Sequence, residues 1–511
     1  MLFEIELLYL VAMIGTFVAL LLIFKMPSGI ALMISAIVGA ILSAIFSETE
    51  FNLRHFIEGG FGYFDTILVI ITAMIFIKGM EQCGALDYIS AGLVKIFRKF
   101  PTILLIAFII ILMLPGMITG SSLAAVVSAG AIVAPIMLKM GLPKAKVAAI
   151  IAFGAILGMI APPINIPVMV ICDVVDIPYQ GFTLPLLALT LPLAIIIVLF
   201  LSRSFKKSEG LDTKNKLENI IIYSIVGVIL LAFVALTIDS YTLKLFVDEA
   251  TKASATTLAT HQKFWLILTI IYAVIAGLIV AIIQFGRPYS TELNLEEMNE
   301  AINFDVLKEL NFTVLIPIII LALLFLGQSV LPRIIGILGT PLLFIISFIP
   351  TIFIGRKHNI LLTVKEGIAK SVSAMGLLIG VGMFVQVMTL SGVRGYFVYN
   401  AISLPDIGQY LAIAIAIPIF GGISAFGSAS ILGGPFVMAL ISFNEIVVAS
   451  ALSLVAALGE FLPPTAMSAT FAGKQVGEEK YLNVTKEAII PIIFSLIYAL
   501  VFIILVSQFW A

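Results

Sequence analysis

The sequence predicts an all-α polytopic membrane protein built from two inverted-topology repeats, each with a re-entrant hairpin and a Pro-Pro-broken helix. Three observations predict it. First, 61% of the 511 residues are hydrophobic and only 11% are charged, whereas soluble domains run at about 45–50% apolar and 25% charged. A soluble fold could not hide that surface, so lipid must be its solvent. Second, the apolar runs fall into two series with one order. Third, Lys and Arg occupy alternate loops, the asymmetry that orients membrane helices.

A spanning helix needs about 20 mainly apolar residues. In the first series the candidates are Ile5 to Phe24, Ser28 to Phe46, Thr66 to Ile77, Val147 to Ile171 and Leu184 to Leu201. Before the fourth lies an apolar segment, Thr102 to Met140, interrupted at Pro115 to Ser122. The second series runs Val314 to Leu326, Ile334 to Phe353, Val372 to Leu390, Ile446 to Thr470 and Ala488 to Val506. Here too an interrupted segment, Tyr410 to Leu440, precedes the fourth span, with its break at Gly421 to Ser430. Helices Ile220 to Leu236 and Phe264 to Ile283 and a charged linker, Arg287 to Glu309, separate the series. The organisation is therefore a first repeat, 1–205, with hairpin 102–140; an inserted segment, 206–310; and a second repeat, 311–511, with hairpin 410–440.

The acidic start, Glu4 and Glu6, lacks the positive region of a cleavable signal peptide, so the first helix is expected to be retained. Lys25, Lys78, Lys95, Arg98, Lys99, Lys139, Lys144, Lys146 and Arg203 fall in alternate loops, and Glu48, Glu50, Glu58, Asp173 and Asp176 in the others. One assignment satisfies all of these: basic loops in the cytoplasm and both termini outside. Basic residues then flank the first hairpin on both sides, so it enters and leaves from the cytoplasm. Five spans per series, an odd number, invert the second series. Its hairpin, flanked by Asp406 and Glu445, enters from outside.

Each series pairs a hairpin tip with a Pro-Pro break. The first pair is Thr119-Gly120-Ser121-Ser122 with Ala161-Pro162-Pro163-Ile164-Asn165. The second is Ser424 to Ser430, containing Gly427 and Ser428, with Leu462-Pro463-Pro464-Thr465-Ala466-Met467-Ser468. Proline removes a backbone donor and clashes with the preceding turn. The freed backbone groups cannot face lipid and must line a polar cavity or be buried in protein. Oxygen-only donors suit a hard cation such as Na⁺, and half-helix N-termini favour a carboxylate. The same residues are also compatible with plain helix kinks and close packing. Read as a site, the candidates for substrate are Thr119, Gly120, Ser121, Ser122, Asn165, Ser424, Gly427, Ser428, Ser430, Thr465 and Ser468. Those for a cation are Ser121, Pro162, Pro163, Pro463, Pro464 and Glu460.

Glu460 stands just before the second Pro-Pro at expected membrane depth, where a carboxylate faces a cavity or a partner. It reads as a cation ligand or proton carrier, or as a solvated carboxylate near the helix end. Gln386, in an apolar span, reads first as a helix–helix hydrogen-bonding group. Asp87 to Phe100, and similarly His358 to Lys370, read as interfacial amphipathic helices. Net charge −1 offers no basic surface for nucleic acid. Two cysteines and three scattered histidines offer no metal cluster beyond a possible Na⁺ site, and no Walker-type, His-Glu-x-x-His or nucleophile-elbow motif appears.

The run from Gly116 to Pro167 resembles the signature of the large membrane subunit of tripartite ATP-independent periplasmic (TRAP) transporters. The similarity is carried by Gly120, Ser121, Ser122, Gly130, Pro135, Gly158, Pro162 and Pro163. Thr119 stands where that family usually has Ser, and Ile164-Asn165 replace the Ser after Pro-Pro. The wider ion transporter superfamily includes sodium–dicarboxylate symporters. The resemblance implies an elevator mechanism, Na⁺ coupling and organic anion substrates in a bacterial cytoplasmic membrane. A small membrane subunit, a periplasmic binding protein and a homodimer are the partners it allows, and no cofactor is expected. The expected activity is secondary import of a carboxylate by cation symport. The alternatives are a sodium–proton antiporter titrating through Glu460 and, in other classes, a channel or a membrane-embedded enzyme.

Overall fold

Backbone groups in lipid must be satisfied within their own segment, so each apolar run closes into helix, with interruptions at or beside Pro and Gly at the two tips and the two breaks. The computed structural model describes residues 2–47, 53–205, 216–247, 252–289, 304–330, 338–463 and 465–507. Within them, helices α1 (Leu2–Leu22), α2 (Ser28–Ser47), α3 (Leu53–Phe61) and α4 (Phe64–Gln82) are followed by the short α5 (Ala85–Phe97). The first hairpin comprises α6 (Pro101–Thr119), α7 (Ser122–Ala125), a π turn (Val126–Gly130) and α8 (Ala131–Lys139). Next come α9 (Lys144–Ile160), α10 (Ile166–Val175) and α11 (Thr183–Leu201).

The inserted helices are α12 (Lys216–Val247) and α13 (Lys252–Phe285). A short helix α14 (Val306–Glu309) and a 3₁₀ turn (Phe312–Leu315) precede α15 (Ile316–Val330), α16 (Thr340–Phe353), α17 (Ile360–Leu390) and α18 (Val393–Ser403). The second hairpin comprises α19 (Asp406–Gly421), α20 (Ala425–Ser428), a π turn (Ala429–Gly433) and α21 (Gly434–Ala439). The chain ends with α22 (Glu445–Leu458), a 3₁₀ turn (Gly459–Phe461), α23 (Met467–Val476) and α24 (Tyr481–Val506). Among the described residues, six helices are long and apolar enough to cross a membrane, or seven with α3–α4 taken as one span bent by 45°.

Two packing groups emerge. Helix α17 lies along α2, α3 and α4, and α1, α15 and α16 complete that group. The other group is centred on α9 and α22. Every residue from Val147 to Ala161 and from Val447 to Phe461 is buried, because both hairpins, α10, α11, α23 and α24 wrap around these two helices. The inserted pair α12–α13 packs on α6, α11 and α24, all in this second group.

Several sequence expectations shift in extent. His358 to Lys370 is not a separate interfacial helix. Ile360 onward is the first third of α17, which runs unbroken for 31 residues with Asn359 capping it by accepting from Leu362 N. Nothing in that stretch breaks a helix, and Lys78 of α4 pairs with Glu366 across the helix contact at 3.0 Å. The third span of the first series extends beyond Thr66 to Ile77 at both ends, as α3–α4. The inserted helices extend well past their apolar runs. With 32 and 34 residues they reach about 48 and 51 Å, against about 30 Å of hydrocarbon. Residues 334–337 and most of the linker, 290–303, lie outside the described residues. Cys83 and Cys172 are buried free thiols.

Candidate functional site

The two hairpin tips are built alike. In the first, the Thr119 hydroxyl donates back to Pro115 O at 2.6 Å and accepts from Ser121 N at 3.2 Å. Gly120 turns the chain with φ +63°, a left-handed conformation that a side chain disfavours. Ser121 then caps α7, accepting from Ala124 N at 3.3 Å. In the second tip, Ser424 caps α20 by accepting from Gly427 N at 3.1 Å. Ser428 donates to Ile417 O at 2.7 Å, across to the first arm. Each arm then passes through one π turn, at Val126–Gly130 and Ala429–Gly433, a geometry often found at functional sites.

Each break is tied to the hairpin of its own series by the backbone. Ile164 N donates to Met117 O, and Thr465 N to Gly422 O, both at 3.2 Å. The Thr465 hydroxyl donates to the same Gly422 carbonyl at 2.7 Å. Such contact requires helices to touch backbone to backbone. A Cβ on Gly459 would stand 2.3 Å from the Gly421 carbonyl carbon, and one on Gly158 would stand 2.4 Å from Met113 O.

The breaks differ in how the next helix starts. Asn165, fully buried, caps α10 by accepting from Val168 N at 3.0 Å. Its amide donates to Ile160 O at 2.7 Å and to Ser453 Oγ of α22 at 3.0 Å. The Tyr179 hydroxyl donates to Pro163 O and accepts from Asn165 N, bracing the opened backbone; the Pro162–Pro163 peptide is cis. In the second break Ala466 takes the matching place at φ +41° with no side-chain cap. Pro463 is exposed, and Pro464 lies outside the described residues.

Glu460 joins the series. Its Oε2 accepts the Ser122 hydroxyl at 2.6 Å, across 338 positions, and also the Ser468 hydroxyl. The carboxylate is 4% exposed, so the solvated helix-end reading does not describe it. No salt bridge to it occurs among the described residues. Beside it the Phe461 ring packs on Phe153 of α9, centroids 4.4 Å apart.

The structure therefore gathers Thr119, Gly120, Ser121 and Ser122 with the first break, and Ser424, Gly427 and Ser428 with Thr465. Glu460 and Ser468 link the two sets. Most of these hydroxyls are committed to backbone partners, so they shape the site by fixing where the main chain opens. Ser430 lies a turn further on, buried in its π turn and next to Tyr63 of the α3–α4 bend. Gln386 lies at the contact of α17 with α3, where a Cβ on Gly59 would stand 2.8 Å from its Cβ. Sequence reasoning missed Tyr179, Ser453 and both π turns; a loop tyrosine and a lone serine in a buried helix carry no periodic signal.

A second polar cluster holds the neck of the insertion. Arg203–Ser204 pairs antiparallel with Arg287–Pro288 as a two-residue ribbon. Glu218 of α12 accepts from Thr102 N at 2.6 Å, Ile103 N at 3.0 Å and the Thr102 hydroxyl at 3.1 Å, capping α6 from another helix. Arg203 beside it donates to Thr102 Oγ1 and Leu199 O. Burial pushes its guanidinium down to about 10, with Glu218 opposing the shift.

The donor chemistry at the tips is one carboxylate, neutral hydroxyls and main-chain groups. No group of three or more His, Cys, Asp or Glu side chains converges among the described residues. That set fits a hard monovalent cation and leaves main-chain amides for an anion. A family model described as tripartite ATP-independent periplasmic transporter, DctM component, matches residues 14–509. No curated protein matches the chain.

Proposed function

The chain belongs to the DctM component family of the tripartite ATP-independent periplasmic transporters, and on that premise we propose that it imports a small organic anion of the carboxylate class by Na⁺ coupling at the two hairpin tips and the two breaks. It is a multi-span transporter component and not an enzyme. A tripartite system implies a small membrane subunit and a periplasmic binding protein as its partners.

The observation that carries the site is the matched pair of ties, Ile164 N to Met117 O and Thr465 N to Gly422 O. Two breaks built the same way, each closed onto its own hairpin, are what a pair of repeats produces. The order of elements supports that reading. The series from α1 to α11 and from α15 to α24 each give spans, a short helix, a capped hairpin with a π turn, a buried helix, a break and a final long helix. Inversion is supported by direction. Helices α3–α4 and α17 hold the same place in the two series, yet they lie side by side and antiparallel. Gly59 meets Gly382, Ile75 meets Gly367 and Lys78 meets Glu366.

In this reading 1–205 and 311–511 are the repeats and 206–310 is the insertion. Thr119, Gly120, Ser121, Ser122 and Asn165 face Ser424, Gly427, Ser428, Ser430, Thr465 and Ser468 around the substrate. Ser121, Pro162, Pro163, Pro463, Pro464 and Glu460 hold the cation regions. Bound Na⁺ would supply positive charge beside the substrate carboxylate. The chain's own part is to keep unwound backbone ready: Tyr179 and Asn165 brace one break, and Thr465 pins the other. The group around α9 and α22 moves as an elevator against the group around α17, with α5 and α18 as linking arms. The inserted helices travel with the moving group, because Glu218 caps α6. Basic loops face the cytoplasm and both termini face outside.

The buried Glu460 favours one second reading, a sodium–proton antiporter titrating through that carboxylate. Uptake separates the two. Proteoliposomes holding the full membrane assembly with its binding protein should accumulate a labelled mono- or dicarboxylate only under an inward Na⁺ gradient. Uptake of no carboxylate under that gradient, with Na⁺–H⁺ exchange instead, would select the antiporter.

A further inference from the structure

We propose that the Glu460 carboxylate and the Ser122 and Ser468 hydroxyls form a single Na⁺ site shared between the two halves of the chain. This rests on the Na⁺-coupled reading above for the identity of the ion, and it assigns the ion a place that belongs to neither repeat alone.

Two regions far apart in sequence, one holding Ser122 and the other Glu460 and Ser468, bring their oxygens to the same point. Ser122 is the first residue of α7, Glu460 is the middle of the 3₁₀ turn Gly459–Phe461, and Ser468 is the second residue of α23. All three are nearly sealed, at 3%, 4% and 1% exposure. A buried carboxylate without an opposite charge is costly. Among the described residues no cation forms a salt bridge with it. Lys146, on the first turn of α9, is held by Arg203 O and Glu487. Lys474 of α23 lies over the Phe471 ring. One carboxylate with neutral hydroxyls balances one monovalent ion, whereas divalent sites collect more carboxylates. The matching place in the first series holds Met159 and Ile160, so the site is single. An ion there would bridge the first hairpin's tip to the second break, and so couple the two halves of the binding region.

The test uses the purified full-length chain in detergent without substrate. A thiol-reactive dye reports thermal unfolding through the buried Cys83 and Cys172, and Na⁺ is titrated against choline at constant ionic strength. Wild type should be stabilised by Na⁺, with more Na⁺ needed at mildly acidic pH as protons compete. E460Q should need about tenfold more Na⁺ or higher, the loss of roughly 1.4 kcal/mol of ion binding, and should lose the pH effect. S122A and S468A should weaken binding less. An unchanged Na⁺ midpoint in E460Q overturns the proposal, as does a wild type stabilised by acid but indifferent to Na⁺. Should E460Q not fold, unchanged midpoints in both serine variants overturn it. Because no substrate is present, failure here leaves the carboxylate reading standing, and failed uptake leaves this site standing.

Discussion

The Asn165 side-chain amide donates to Ser453 Oγ at 3.0 Å across 288 positions of chain, so the residue that starts α10 also fastens the first break to α22. Asn165→Ala removes the cap, the bond to Ile160 O and this link. It should cost about 2–3 kcal/mol, one cap plus buried hydrogen bonds. Ser453→Ala removes only the link and should cost less. The double variant should be less destabilised than the sum, because the shared bond is counted once. Melting curves of the three variants check this; strictly additive shifts would mean the contact is not formed.

Gly459 and Gly421 set a steric limit on the second hairpin. A Cβ at 459 would meet backbone at 2.3 Å, and backbone has no rotamer to move aside. Gly459→Ala should therefore separate α19 from the break and abolish transport, even where the protein still inserts. Gly15→Ala is the control, since nothing lies within 4 Å of its added Cβ. Uptake at wild-type rate by Gly459→Ala would show that the approach is not needed.

What the sequence disclosed follows from what breaks a helix. Pro162-Pro163, Pro463 and Gly120 stand where the helices are interrupted, so the breaks are legible in the sequence at those positions. The apolar runs gave the helices because lipid leaves the backbone no other closure. Helix ends were less legible. No residue stops the inserted helices where their apolar runs stop, so α12 and α13 continue as polar helix. His358 to Lys370 similarly merged into α17. The bonds between distant segments could not be read at all. Ser122 to Glu460 and Asn165 to Ser453 depend on which helices the fold brings together, and no local pattern encodes that. The sequence marks Glu460 by its depth but carries no sign of its partners.

Glu218 caps α6 from a helix 116 positions away, and it is 2% exposed. Glu218→Ala would leave the Thr102 and Ile103 amides without their acceptor and Arg203 without its neighbouring anion. Breaking such a buried charged contact typically costs about 3–5 kcal/mol. Glu218→Gln keeps one acceptor oxygen and should lose less. Thermal unfolding of both variants is the measurement; an alanine variant as stable as wild type would show that the insertion is not anchored there.

The inverted arrangement proposed above predicts which side each hairpin opens to. Both hairpins leave through short exit loops, Met140 to Pro143 and Leu440 to Asn444, and inversion of the two series would place these loops on opposite faces. Lys144 is exposed beside the first, and Ile441, 87% exposed, lies in the second. The native thiols, Cys83 and Cys172, are buried and give little background. Ile441→Cys should then react with a membrane-impermeant maleimide added to intact cells. Lys144→Cys should react only after the membrane is permeabilised. The charge of the loops leads to the same assignment, since Lys139, Lys144 and Lys146 cluster at the first exit and basic loops stay cytoplasmic. Labelling of both cysteines from one side would place the two hairpins in a common leaflet. The matched ties at Met117 and Gly422 would then be a packing device repeated in parallel, and two-sided access to one shared site would have no structural basis.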